Sequence, residues 1–238
     1  MPHFHRACPT GRGILREDVG MTQTRTSAER RVLLAGGTSD AGRAIARALR
    51  DAGAEVIVAG RSPEKLAALA AEGFGTVEVD LADAEDVDRM MAGLASLDGL
   101  IPLVGGWRGG GGIPSQSDDD WDTLSQALTA ARHTCRAAWS LLEASPAARV
   151  AVVSSVQVTR PLAGGANYAA VKAATEAWIQ AVAHGFATSA RDEERPQAGG
   201  CTIFRVNQLG DVIDDVAAGI AGLWDEAPTP SARVVTLA

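Results

Sequence analysis

Tyrosine and lysine are nearly missing from this sequence of 238 residues, which holds one tyrosine, Tyr168, and two lysines, Lys65 and Lys172, in a chain otherwise rich in arginine. Cysteine is scarce as well. Cys8, Cys135 and Cys201 are odd in number, widely spaced and free of any C-x-x-C, which argues against a disulfide framework and against a zinc site. No stretch approaches the roughly 20 uninterrupted apolar residues of a membrane span, and the amino-terminal region lacks the apolar segment of a secretory signal. Basic charge is not in excess. A net charge of -7 leaves no broad cationic face for nucleic acid. What remains, 46% hydrophobic and 21% charged residues, is ordinary globular composition. A cytoplasmic protein is expected, with neither nucleic acid nor membrane as partner and with no metal.

Residues 1–28 mix His3, His5, Pro2, Pro9, Gly11 and Gly13 with no helical or strand period, and are expected to be a poorly ordered tail. Met21 is a second possible start. Two histidines without a third ligand do not make a metal site. Residues 29–238 read as one domain. From Arg31 onward, short apolar runs alternate with amphipathic stretches, as strands alternate with crossover helices. Seven strands are expected, at Arg31 to Ala35, Glu55 to Ala59, Thr76 to Val79, Gly99 to Val104, Arg149 to Val153, Cys201 to Val206 and Arg233 to Leu237. Their near-continuous apolar character fits a parallel sheet covered on both faces. Ser62 and Pro63 suit the cap and first residue of the second of six helices, and Val212, Val216, Ile220 and Leu223 form the buried stripe of the last. The expected fold is α/β, a Rossmann-type doubly wound sheet with any ligand at the carboxyl ends of its strands.

The first strand runs into Gly36-Gly37-Thr38-Ser39-Asp40-Ala41-Gly42 and then an alanine-rich helix beginning near Arg43. Glycine permits the tight turn, and a helix amino terminus offers free N–H groups to a pyrophosphate. The same turn also serves as plain structure in many α/β folds. Where an acid would hold a ribose 2'-hydroxyl, the second strand ends Val58-Ala59-Gly60-Arg61. A guanidinium pairs with a 2'-phosphate and a carboxylate repels it, so NADP(H) is favoured over NAD(H).

Tyr168-Ala-Ala-Val-Lys172 opens a long helix, and spacing of four puts both side chains on one face. An ammonium near a phenol favours phenolate and lowers its pKa towards that of a working acid and base. Ser155 follows the strand that begins at Arg149 and sits at the sheet's carboxyl edge.

With the glycine turn upstream, these residues resemble the short-chain dehydrogenase/reductase family over nearly all of residues 30–238. The resemblance implies a Ser155, Tyr168, Lys172 triad. Tyr168 would exchange a proton with the substrate oxygen, Ser155 would steady that oxygen, and Lys172 would hold the nicotinamide ribose while tuning the tyrosine. The family's glycine turn maps onto Ala35 to Gly42, which implies cofactor contacts at Gly36, Thr38, Ser39, Ala41 and Gly42. Its adenine-contacting acid maps onto Asp80, followed by Leu81, and Arg61 falls where NADP-preferring members often carry arginine. Four departures stand out. Asp40 replaces the middle glycine. Pro102-Leu103-Val104-Gly105 replaces N-N-A-G, keeping the cofactor contact only at Gly105. Leu128, beside Thr129, replaces the relay asparagine. Asn207-Gln208-Leu209-Gly210 replaces the usual P-G turn and lid.

Trp107, Arg108 and the run Gly109 to Gly112 lie where a substrate pocket begins, as a flexible substitute lid or as a loose surface loop around one packed tryptophan. Trp121, Trp139, Trp178 and Trp224 are expected in the core or an interface. His133 and His184 carry no chemistry, and Asp118-Asp119-Asp120 favours a helix start through the dipole. The expected activity is hydride transfer between NADP(H) and a small-molecule carbonyl or secondary alcohol. The alternative is a nucleotide-binding scaffold or redox sensor that has lost efficient catalysis. The resemblance also implies a homodimer or homotetramer.

Overall fold

In the computed structural model residues 30–237 are described, and the expected tail with His3, His5, Cys8 and Met21 lies outside the described residues. The apolar runs become seven strands and the amphipathic stretches six α-helices among the described residues. In chain order these are β1 (Arg31–Ala35), α1 (Asp40–Asp51), β2 (Glu55–Gly60), α2 (Pro63–Ala71), β3 (Gly75–Glu78), α3 (Ala84–Ala92), β4 (Gly99–Pro102), α4 (Asp118–Ala144), β5 (Arg149–Ser155), α5 (Ala166–Asp192), β6 (Gly200–Val206), α6 (Ile213–Ala221) and β7 (Arg233–Leu237). The sheet runs β3-β2-β1-β4-β5-β6-β7 with every pair parallel. Strand order reverses between β1 and β4, and at such a switch point the loops diverge and leave a crevice above the strand ends.

Alternation along the strands feeds two cores. On β1, Leu33 and Ala35 face a cluster with residues of α3, α4 and α5, whereas Val32 and Leu34 face one with residues of α1, α2 and α6. Both faces of the sheet are therefore covered, which explains the unbroken apolar strands. No helix among the described residues is long and apolar enough to cross a membrane.

Local signals set the helix starts. Ser62 caps α2 with Pro63 as its first residue, and Ser117 caps α4 ahead of Asp118, Asp119 and Asp120 in its first turn. The expected start of α1 near Arg43 is corrected to Asp40, because the Ser39 side chain accepts from the Gly42 N–H and caps the helix a turn earlier. Strand β4 ends at Pro102 rather than Val104, since the chain turns off to frame the crevice. Strand β5 instead runs on through Ser154 and Ser155 in register with Arg205 and Val206. Of the expected stripe, Val212, Val216, Ile220 and Leu223 are all buried. Trp224 is buried too, whereas Trp121 is 42% exposed on the first turn of α4 and belongs to no core.

The opposite, amino-terminal edge is held by Arg149. Its buried guanidinium donates to the carbonyls of Leu223 at 2.8 Å, Ala148 at 2.9 Å, and Ala198 and Glu226 at 3.0 Å. Burial, with Arg30 adding repulsion, pulls its pKa down to about 10. Four carbonyls lose charge-assisted donors if it is removed. Arg149→Ala is expected to lower unfolding free energy by roughly 3 to 5 kcal/mol, measured by urea denaturation, with Arg149→Lys recovering only part.

Candidate active site

Two adjoining cavities lie along the carboxyl edge of the sheet. The smaller, of about 330 Å³, is lined by Gly36, Thr38, Arg61, Lys65, Asp80 and Leu81, among others. The larger, of about 640 Å³, is lined by Trp107, Ser154, Gln157, Tyr168, Lys172 and Asn207, among others. Ser39, Leu103, Val104 and Gly105 border both, so the two form one continuous cleft.

The glycine turn is built for close approach. Gly36 has φ +89°, and a Cβ there would lie 2.6 Å from the Val104 side chain. A Cβ on Gly42 would fall 2.2 Å from the Gly37 carbonyl, so only glycine lets α1 seat on the turn. The amino terminus of α1 thus opens beside the cleft. Ala41 and Gly42 line neither cavity. Arg61 and Asp80 stand at the mouth of the smaller cavity, where Asp80 also accepts from the Ala82 N–H at 3.0 Å. Lys65, one helical turn beyond the Ser62 cap, joins Arg61 there. Sequence reasoning missed it, although its rarity in the chain was a signal.

At the larger cavity, the first turns of α5 face the end of β5. Lys172 Nζ donates to the Val153 carbonyl at 2.8 Å and stands 5.8 Å from the centre of the Tyr168 ring. A Cβ on Gly105 would be 3.7 Å from Nζ, an ordinary contact, so the loop after β4 passes close beside the ammonium. The Ser155 side chain hydrogen-bonds to Tyr168 and accepts from the Gln157 N–H at 3.2 Å. Ser155 is buried and does not line the cavity, whereas Ser154 does. Burial raises the Tyr168 pKa, and the Ser155 bond draws it only partly back. The expected lowering by Lys172 is corrected: the ammonium is held by Val153 and is not among the groups that shift the phenol. Burial lowers Lys172 itself to about 8, against the opposing pull of Glu176.

Glu176 is the main residue that sequence reasoning overlooked. Its buried carboxylate accepts from Ser154 Oγ at 2.6 Å and from Arg205 at 2.9 Å through Nε and 2.6 Å through Nη2. Its signal was the further step of four beyond Lys172.

The run Gly109 to Gly112 is clasped rather than loose. Gly109, Gly110 and Gly111 have φ +155°, +134° and +59°, which favours glycine at each. The Gly110 N–H donates to the Gly164 carbonyl at 2.8 Å. Gln116 Nε2 donates to the same carbonyl at 3.2 Å, and its Oε1 accepts from the N–H of Asn167 at 3.2 Å. Trp107 is not packed: it is 59% exposed beside the cavity. Leu128 and Thr129 line neither cavity.

Residues 30–190 match the family model described as short chain dehydrogenase. No curated protein matches the chain in sequence. Among solved structures, a Pseudomonas aeruginosa RhlG/NADP active-site complex is similar with TM-score 0.72 at 19% identity, over 88% of this chain and 95% of that one. An NADPH-bound short chain oxidoreductase of Pseudomonas aeruginosa PAO1, containing an atypical catalytic centre, gives 0.73 at 18% over 87% and 95%. Serine dehydrogenase of Escherichia coli gives 0.74 at 20% over 87% and 96%. At these identities the likeness is one of fold.

Removing the Glu176 carboxylate strands the Arg205 cation, which is only 22% exposed. Glu176→Leu is expected to cost about 3 to 5 kcal/mol by urea denaturation, and Glu176→Gln, which retains an acceptor for Ser154, clearly less.

Proposed function

Because the chain belongs to the short-chain dehydrogenase family, a family of oxidoreductases, we propose that it transfers hydride between NADP(H) and a carbonyl or secondary-alcohol carbon, with Tyr168 as the acid and base. The observation that carries this reading is the meeting of Tyr168, Ser155 and Lys172 at one end of a cleft whose other end holds Arg61 and Lys65. The cradle at Gly36 and Gly42, which a Cβ would fill, fits a dinucleotide. The amino terminus of α1 with Thr38 and Ser39 would receive the pyrophosphate. Arg61 and Lys65 would pair with a 2'-phosphate, which favours NADP(H) over NAD(H). Asp80 and Leu81 would border the adenine, with Gly105 and Lys172 beside the nicotinamide ribose.

NADPH held by these residues would supply the hydride that the carbonyl carbon takes up. Tyr168 gives its phenolic proton to the carbonyl oxygen, so that the C=O becomes CH–OH, and the phenolate regains a proton from solvent. Burial keeps the phenol protonated, as reduction requires, and the charged Lys172 would hold the nicotinamide ribose. Ser155, buried behind the cavity wall, would act on the phenol of Tyr168 rather than reach the substrate oxygen. A second reading, a nucleotide-binding scaffold or redox sensor, is favoured by one observation: Leu128 puts no polar group into the cleft where a proton relay would run. Pairing through α4 and α5 into a dimer or tetramer is part of the same proposal by family analogy alone.

Three measurements test the reading. Titration followed by nicotinamide fluorescence is expected to give NADPH binding that Arg61→Ala weakens by about 10- to 100-fold, with NADH changed far less. Tyr168→Phe is expected to lower turnover about 10²- to 10⁴-fold while NADPH binding stays within a few-fold. Retained turnover would remove Tyr168 from the role, and cofactor binding without turnover of any carbonyl would favour the scaffold. Lys172 is charged below its pKa of about 8, so kcat/KM for reduction should be flat at lower pH and fall through a limb near that value. A flat profile across this limb would exclude a role for its charge.

A further inference from the structure

Apart from Lys172, every described residue that lines the larger cavity is uncharged. The Lys172 ammonium is already bound to the Val153 carbonyl at 2.8 Å. A substrate carboxylate, phosphate or ammonium entering here would lose its water without gaining an ionic partner, an uncompensated desolvation. Arg108, next to Trp107 in the chain, is paired with Asp120 at 3.9 Å. The other polar side chains on offer are neutral: the amides of Asn207, Gln208 and Gln157 and the hydroxyls of Ser39, Ser154 and Tyr168. The Gln157 Oε1 is buried and receives no hydrogen bond among the described residues.

Trp107 supplies the other half of the argument. Its indole is 59% exposed, yet it stands on a fixed strap. A Cβ on Gly109 would lie 3.3 Å from Trp107 Cζ2 and 2.3 Å from the Gly164 carbonyl, so the ring rests over the clasp itself. That clasp runs through Gln116 to the N–H of Asn167, the residue before Tyr168. A large, rigidly mounted aromatic face is thereby held at a set position relative to the reacting phenol. Leu162 and Ile113 on the clasped loops are also exposed, by 57% and 63%. Exposed apolar surface gathered at a cavity mouth marks a binding surface for apolar matter.

We propose that the substrate is an uncharged carbonyl compound, or the matching secondary alcohol, whose flat apolar body lies against Trp107 while its oxygen reaches Tyr168. This rests on the preceding functional reading. Trp107 is thus a specificity-determining residue, and the clasp through Gln116 is what positions it.

The test uses two ketones of similar shape, 4-ethylacetophenone and the anionic 4-acetylbenzoate, with 2-butanone as a ketone lacking the flat body. With the full chain and NADPH, kcat/KM for 4-ethylacetophenone is expected to exceed that for 4-acetylbenzoate by about 30-fold or more. Trp107→Ala is expected to lower the 4-ethylacetophenone value about 10-fold, leaving 2-butanone within a few-fold and NADPH affinity unchanged. Equal or better use of the acid would overturn the proposal, as would its use through the exposed Arg160, revealed by loss on Arg160→Ala. A Trp107→Ala variant that changes the molecular mass in solution but not the handling of 4-ethylacetophenone would overturn it too, making the rim a self-contact. If no ketone turns over, probe binding to the NADPH-loaded Tyr168→Phe protein, read by ligand-observed NMR, decides. Binding of 4-ethylacetophenone but not of 4-acetylbenzoate upholds the substrate class while the hydride-transfer reading fails. Binding of neither overturns the substrate class.

Discussion

A buried carboxylate must find its partners or the fold does not form, and Glu176 finds them on two strands at once. Ser154 of β5 and Arg205 of β6 both donate to it. The pair of strands is thereby tied, at its carboxyl end, to one turn of α5. Helix geometry carries the consequence backwards along the chain. Four residues earlier Lys172 meets the Val153 carbonyl, and four before that Tyr168 meets Ser155. Three successive turns of one helix therefore dock on three successive residues of one strand. A buried ion pair adds little net stability compared with good apolar packing, but it penalises every register in which it is unmade. Here the register it selects is the one that brings phenol, hydroxyl and ammonium together.

The same carboxylate shapes the electrostatics of the site. Burial draws Lys172 down to about 8, and Glu176 resists that fall. Without the acid below it, the ammonium would give up its proton more readily, and the larger cavity would lose the one charged side chain among the described residues that line it. Arg205 is held charged by the same contact, which raises its pKa further. The network thus keeps one proton on Lys172 near neutral pH. Tyr168 stays neutral because burial outweighs its bond to Ser155.

Much of this architecture was legible in the residues. The limits of β1 and β7 match the apolar runs at Arg31 to Ala35 and Arg233 to Leu237 residue for residue, β1 running straight into Gly36-Gly37 and β7 starting just after Pro230-Ser231. The site was harder to read. Ser39 was legible as a phosphate contact and not as a helix cap, so α1 was expected to start late. Ser154 and Glu176 pair across 22 positions of sequence, and no local pattern announces a contact of that range. The sign of the Tyr168 shift was misjudged for a related reason. Spacing places Lys172 on the same helix face as Tyr168, but only the fold determines that burial outweighs the ammonium. The glycine run was expected to be either mobile or loose. Its clasp depends on Gln116 and Gly164, which are also distant in sequence.

That clasp accounts for how the fold covers a cleft after losing the usual segment beyond β6. Asn207, Gln208 and Leu209 pass directly into a short 3-10 turn and α6, so they serve as wall and leave no chain to spare for a cover. Chain length was instead placed between β4 and α4, where positive φ at three successive glycines lets the strap fold back onto Gly164. A mobile lid closes around substrate at an ordering cost on each encounter. A strap already bonded to the turn before Tyr168 has met that cost during folding. What such a cover gives up is adaptability, so under the proposed reading the shape it presents, with Trp107 on it, would select the substrate before any chemistry begins.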